Sequence, residues 1–240
     1  MPFVTGQEAN NSSGSATSTT IATTLAGVTA GNLLWLSVGC FNSSTSITIS
    51  DSTGNTWSAG PTLSNAGDTW QQRLFYCPNA SAGSHTVTAT FGTAVGYRCI
   101  YVQERSGLAT SSPLEGAGTS LRQASGSGTS RNAGTYSNTA SVELVAFGFD
   151  YNWISSPTAG SGYTGRTAVW NFNAEAGSTT GIAVDAAFTT GGSRSALFTM
   201  SNTALSYCLQ MALLVASSGS GLAVPRNTGT LQAVNRASGY

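Results

Sequence analysis

His85 is the sole histidine of the chain, and a nucleophilic triad needs such a base beside an activated serine or cysteine. It opens the stretch His85-Thr86-Val87-Thr88-Ala89-Thr90-Phe91 directly after Ala82-Gly83-Ser84. A strand end next to a turn is expected to face solvent, so no catalytic role is assigned to it. Glycoside hydrolysis needs two carboxylates flanking one bond. Among nine acids, Glu104, Glu143, Asp150 and Glu175 are the ones to inspect, and none falls in a Glu-x-Asp-x-Glu cluster. The run Asp51-Ser52-Thr53-Gly54-Asn55-Thr56-Trp57 spaces oxygen ligands as a calcium loop would. It has one charged ligand, however, and Asp followed by Gly-Asn is also what a tight hairpin turn demands. The turn reading is preferred. Glycine runs lie between strand-like segments and do not open helices, which removes phosphate-cradling and dinucleotide loops. The expectation is a non-enzyme without metal or cofactor.

Cys40, Cys77, Cys99 and Cys208 each sit in or beside an apolar run, with no Cys-x-x-Cys spacing for zinc. Two readings stay open: buried thiols acting as small apolar groups, or one disulfide between neighbouring strands in an oxidising compartment. Aromatic residues are the best remaining material for a site. Trp57, Trp70, Trp153 and Trp170 lie near turns or strand ends, where they would either cap a core or stack on a sugar or partner. Trp35 lies within an apolar run and reads as core.

The elements that must position these residues are strands. Charged residues make up 8% of the chain, against roughly 25% in an ordinary domain. Ser, Thr and Gly dominate instead, and there is no Lys, so the polarity comes from hydroxyls and amides and favours strands and turns over helices. Strand signals cover 18–25, 32–40, 46–50, 71–77, 85–91, 97–105, 141–149, 164–171, 181–188, 195–200 and 205–215, with Gly/Ser/Asn breaks between them. Residues 85–91 alternate strictly, as a half-buried strand does, whereas 33–38 and 211–215 are almost continuously apolar, as strands covered on both faces are. Both types together suit a two-layer antiparallel β-sandwich.

The halves resemble each other. Residues 32–39 match 142–148, and 85–91 with 97–100 match 194–198 with 207–209, at an offset of about 110. Half-repeats at about 18–108 and 136–216 follow, joined by a Ser/Gly-rich, linker-like stretch at 116–134. We expect one sandwich over 1–216 assembled from both. Beyond Val215 no core period continues. Leu222, Val224, Leu231, Val234 and Tyr240 are the sparse apolar residues of a C-terminal segment, 217–240, that is either a disordered tail or an extended arm reaching a neighbouring subunit.

The succession Ala30-Gly31-Asn32-Leu33-Leu34, Asp51–Trp57, Val87–Phe91, Glu104-Arg105-Ser106-Gly107-Leu108 and Ser112-Pro113-Leu114 resembles Ser/Thr/Gly-rich jelly-roll-like β-sandwich modules of bacterial surface proteins and tailed-phage virion proteins. Gly160-Ser161-Gly162-Tyr163 and the closing 206–215 strand fit its second half, so the likeness runs from about Phe3 to Ala216. It implies a non-enzymatic role and transfers no catalytic residue. The nine arginines are scattered singly, which argues against nucleic acid, and no run of about twenty apolar residues spans a bilayer. The start of the chain lacks a secretory pattern. The expected function is therefore a phage virion accessory protein, a capsid decoration or fibre-associated subunit. It would be made in the host cytoplasm and act as a homo-oligomer or on the virion lattice. The alternatives are a glycan-binding or adhesive module of a bacterial surface and an extracellular filament subunit.

Overall fold

The computed structural model describes residues 4–42, 44–65, 69–118, 122–139, 141–151, 158–166, 170–171 and 179–217. All regular structure among them is antiparallel strand, apart from one 3-10 turn at Glu115–Gly118. The first half contains β1 (Val4–Ser12), β2 (Ser18–Val28), β3 (Leu33–Phe41), β4 (Ile47–Asp51), β5 (Ser58–Asn65), β6 (Trp70–Cys77) and β7 (Gly83–Ser106). The second contains β8 (Arg122–Asn132), β9 (Tyr136–Asn138), β10 (Val142–Tyr151), β11 (Thr158–Ala159), β12 (Thr164–Gly165), β13 (Trp170–Asn171), β14 (Thr179–Phe188), β15 (Gly192–Arg194) and β16 (Leu197–Val215).

Each half builds one principal sheet. The first runs β1-β7-β3-β6-β5, with β2 and β4 flanking the early part of β7. The second runs β11-β16-β10-β14-β12, with β8 on β16 and β13 on β14, while β9 and β15 pair separately. The two principal sheets form the layers of a sandwich, and Leu33, Trp35, Leu74, Cys99 and Tyr101 of one meet Val145, Phe147, Ala183, Cys208 and Ala212 of the other. Tyr101 stacks on Phe147 across the gap, with ring centroids 5.7 Å apart. The outer face of each sheet has an apolar core of its own. Leu34, Leu36, Val38 and Val102 pack under β2 and β4, and in the second half Leu144, Ala146, Leu209 and Met211 cluster with Ala133, Ala196 and Tyr163. This is why β3 reads as continuously apolar. Seven of its first eight residues are apolar or glycine, Ser37 being the exception, and all eight are buried because both faces are covered.

The duplication holds strand by strand. Gly83 and Gly192, Val87 and Ala196, Cys99 and Cys208, and Glu104 and Leu213 are each 109 residues apart and fill matching places in β7 and β15–β16. Leu34 pairs with Cys77 and Glu104, as Leu144 pairs with Ala186 and Leu213. Val28 pairs with Gly83 as Asn138 does with Gly192. The repeat also takes in β1 and β8, which occupy equivalent edges beside β7 and β16. The Ser/Gly-rich stretch that composition marks as a linker therefore contains a strand, β8, paired with β16 from Met211 to Leu197.

Two predicted strand pairs are each one long strand. β7 passes from the outer layer into the principal sheet through Gly92–Gly96, where a Cβ on Gly96 would stand 2.9 Å from the Ser15 carbonyl oxygen. β16 runs unbroken likewise.

Candidate functional site

Three constellations carry chemistry among the described residues. The first lies at the mouth of the β4–β5 turn. One Asp51 carboxylate oxygen accepts from the Thr53 backbone N–H (2.8 Å), the Thr53 hydroxyl (2.7 Å) and the Asn55 N–H (3.2 Å). The other accepts from the Trp57 indole N–H at 2.9 Å. Burial pushes the Asp51 pKa up, and these donors outweigh it, so the carboxyl sits below the usual range. The aspartate thus organises the turn through its own neighbours.

His85 was expected at the surface and is instead fully buried beneath that turn, with no exposed side-chain area. Its Nε2 is 2.9 Å from the Ser81 carbonyl oxygen, which only accepts, so Nε2 carries the proton. Nδ1 then accepts; the Thr53 hydroxyl at 3.1 Å already donates to Asp51, leaving the Asn55 amide at 3.2 Å as donor. Both ring nitrogens are committed to holding the 51–57 turn against the 81–85 turn.

The second constellation lies between the halves. Arg105 pairs with Glu143 through one guanidinium nitrogen and with Asp185 at 3.2 Å through another. Arg166 forks onto the same Asp185 at 2.5 and 2.8 Å, and the Tyr101 hydroxyl donates to Glu8 at 2.9 Å. Arg105, Glu143 and Asp185 are at most 3% exposed. Burial, then Glu8, holds the Tyr101 hydroxyl well above its usual range. Glutamines extend this polar layer: Gln72 donates to the Phe147 carbonyl of the opposite sheet, and Trp35 donates to Gln103. Glu104 works separately, accepting from the Thr29 N–H, the Asn32 amide and the Gln7 N–H.

The third is aromatic. Phe41, at the end of β3, is 43% exposed and meets Trp70 and Tyr97 edge-on at centroid distances of 5.1 and 6.1 Å. Thr69 (φ 59°) and Tyr97 (φ 44°) hold left-handed backbone that their side chains disfavour, and this strain sits beside the exposed ring. The Asn42 amide donates to the Thr93 hydroxyl alongside.

Of the residues singled out by sequence, Trp70 is 3% exposed and supports Phe41 from below, and Trp57 is half-buried on the outer core with its N–H given to Asp51. Trp170 is paired with Gly181 by its backbone. Trp153, Glu175 and the arm residues Leu222, Val224, Leu231, Val234 and Tyr240 lie outside the described residues. Phe41 was missed because it ends an apolar run and reads as core. All four cysteines are buried and none is joined in a disulfide, the first of the two readings. Burial raises Cys40 to about 12 and Cys77 to about 11. No group of three or more His, Cys, Asp or Glu suited to a metal occurs among the described residues, and no helix among them is long and apolar enough to cross a membrane. No protein-family profile, no curated protein and no solved structure matches the chain.

Proposed function

We propose that this chain is a non-enzymatic structural protein acting through subunit contacts, a phage virion accessory protein such as a capsid-decorating or fibre-associated subunit. The observation that carries the reading is the inward commitment of its ionisable groups. His85, Asp51, Glu104, Arg105, Glu143 and Asp185 are all engaged within the fold, and the outer residues of β2, β4 and early β7 are mainly hydroxyl-bearing. A surface of that kind lets many copies pack with little like-charge repulsion. In this reading the protein forms a homo-oligomer or sits on a repeated lattice, with residues 222–240 reaching a neighbour. Electron microscopy and light scattering of the purified chain, with and without 222–240, test it. Regular assemblies, or binding to virions that the truncation abolishes, support it; a monodisperse monomer that binds no virion component overturns it.

A second reading, an adhesive carbohydrate-binding module, is favoured by Phe41 on its Trp70–Tyr97 support beside the Asn42 amide. Glycan-array binding that disappears in Phe41→Ala would select it over the first.

A further inference from the structure

Among the described residues Arg194 is a cation held in place with no acid to answer it. Its Cζ stands 3.9 Å from the centre of the Phe188 ring. The guanidinium also lies against Gly192, where a Cβ would come within 3.1 Å of Nη2, 3.2 Å of Cζ and 3.4 Å of Nη1. Nε donates to the Asn138 Oδ1 at 3.1 Å and Nη2 to the Thr190 carbonyl at 2.6 Å. The buried Asn138 amide bonds to that same carbonyl at 3.3 Å. Two of the five N–H groups are thus used, and the Nη1 end keeps a pair of donors for a carboxylate. By contrast Arg105 and Arg166 share Glu143 and Asp185, and Arg98 turns inward onto three backbone carbonyls. Arg73 lacks an acid too, but one hydrogen bond, to the Gly60 carbonyl, and a looser contact with Phe75 are all that fix it. Glu115 is the acid in the same position: Glu8, Asp51, Glu104, Glu143 and Asp185 are bonded within the fold, and among the described residues Glu115 has no partner.

Both groups stand at one end of the sandwich. Phe188 pairs with Val142, Val142 with Val215, and the Ala109 N–H donates to the Val215 carbonyl, so one row across the second sheet leads from the Arg194 stack to the 107–114 loop. Leu114, next to Glu115, bridges to Leu214 one residue further in. Thr110, Ser111 and Ser217 help to line a recess of about 330 Å³ on the same row. We infer that this end is the face on which two copies of the chain meet about a two-fold axis, with Arg194 received by Glu115 of the partner subunit. The inference rests on the assembly reading above and names the surface it uses. In a two-fold contact residue i meets j and j meets i, so a single symmetric pairing answers both charges twice. Phe188, Asn138 and Thr190 already hold the guanidinium, so little side-chain freedom is lost when a carboxylate docks. The Phe188 ring is covered by that guanidinium and met edge-on by Tyr163 at 6.3 Å, which favours an acidic side chain over a sugar that would need the ring to stack on. The fold itself does not call for an arginine here. The matching residue of the first half is His85, which turns inward to the Ser81 carbonyl.

Sedimentation velocity of the full chain over a range of concentration and salt tests this, on the wild type, Glu115→Gln, Arg194→Lys and an equimolar mixture of the two variants. The wild type should associate reversibly and less tightly as salt is raised. Each variant should weaken association at least several-fold, and the mixture, which keeps one of the two ion pairs, should associate more tightly than either variant alone. Glu115 bonds to nothing within the chain, so Glu115→Gln decides the matter if near-ultraviolet circular dichroism shows that Arg194→Lys has not folded. Association unchanged in a folded variant, or a mixture of folded variants no tighter than its components, overturns the inference and leaves the assembly reading standing. A wild type that stays monomeric yet binds virions does the same, and one that is monomeric and binds no virion component overturns both.

Discussion

Glu104 illustrates how a carboxylate can be fully occupied without any catalytic partner. It gathers the Thr29 N–H, the Asn32 amide and the Gln7 N–H, tying β1 and the β2–β3 turn to β7. Glu104→Ala strands these donors in a 2% exposed site, and chemical denaturation should register a loss of roughly 2–4 kcal/mol. The thiols give a pH prediction. Burial raises Cys40, Cys77 and Cys99 above the ordinary 9.0, so the folded chain keeps protons that the unfolded chain releases. Stability is then whole below about pH 9 and falls as pH rises toward the folded values, by about 1.4 kcal/mol per pH unit for each thiol. Denaturation midpoints measured from pH 7 to 11 check the sign, and a thiol reagent at pH 8 should label only the unfolded chain. At the acid end Asp51 behaves oppositely: its lowered pKa gives stability above the usual carboxylate range that is lost as pH falls through the folded value.

At the scale of elements, the 24-residue β7 serves both layers of its half because it can bend at Gly92–Gly96. Gly96→Ala places a methyl 2.9 Å from the Ser15 carbonyl, a backbone atom that cannot swing aside, and should lower the melting temperature measurably. β8 makes a sharper test. A true linker tolerates proline, but Ala124 pairs with Leu209 and Ser125 with Cys208. Proline at the one of these two positions whose N–H faces β16 should destabilise the second half and raise its amide exchange. Strand periodicity was legible wherever one face is wet, as in residues 85–91. It failed for β8 because small residues carry no hydrophobic period, and it split β7 and β16 because a glycine or polar break looks the same whether the chain turns or bends.

In the whole molecule the outer cores and the layer between the principal sheets differ in what holds them. Each outer core is apolar, whereas the layer between the principal sheets also carries Arg105, Glu143, Asp185, Gln72 and Gln103. Removing one partner from a buried ion group leaves charge uncompensated. Asp185→Ala, which strips Arg105 and Arg166 of their shared carboxylate, should therefore cost about 3–5 kcal/mol, whereas an exposed control such as Ser161→Ala should cost little. The amino-acid sequence alone determined the all-β class, the internal duplication and the core role of Trp35, because hydroxyl-rich composition, repeated order and long apolar runs are local properties. Only the tertiary structure decided that His85 is buried, that the linker-like stretch is a strand, that Phe41 emerges beside Trp70, and that the scattered arginine and acids of β7, β10 and β14 converge. Each of those depends on which segment lies opposite which, and contacts between segments about 30 to 90 residues apart leave no periodic trace in the chain itself.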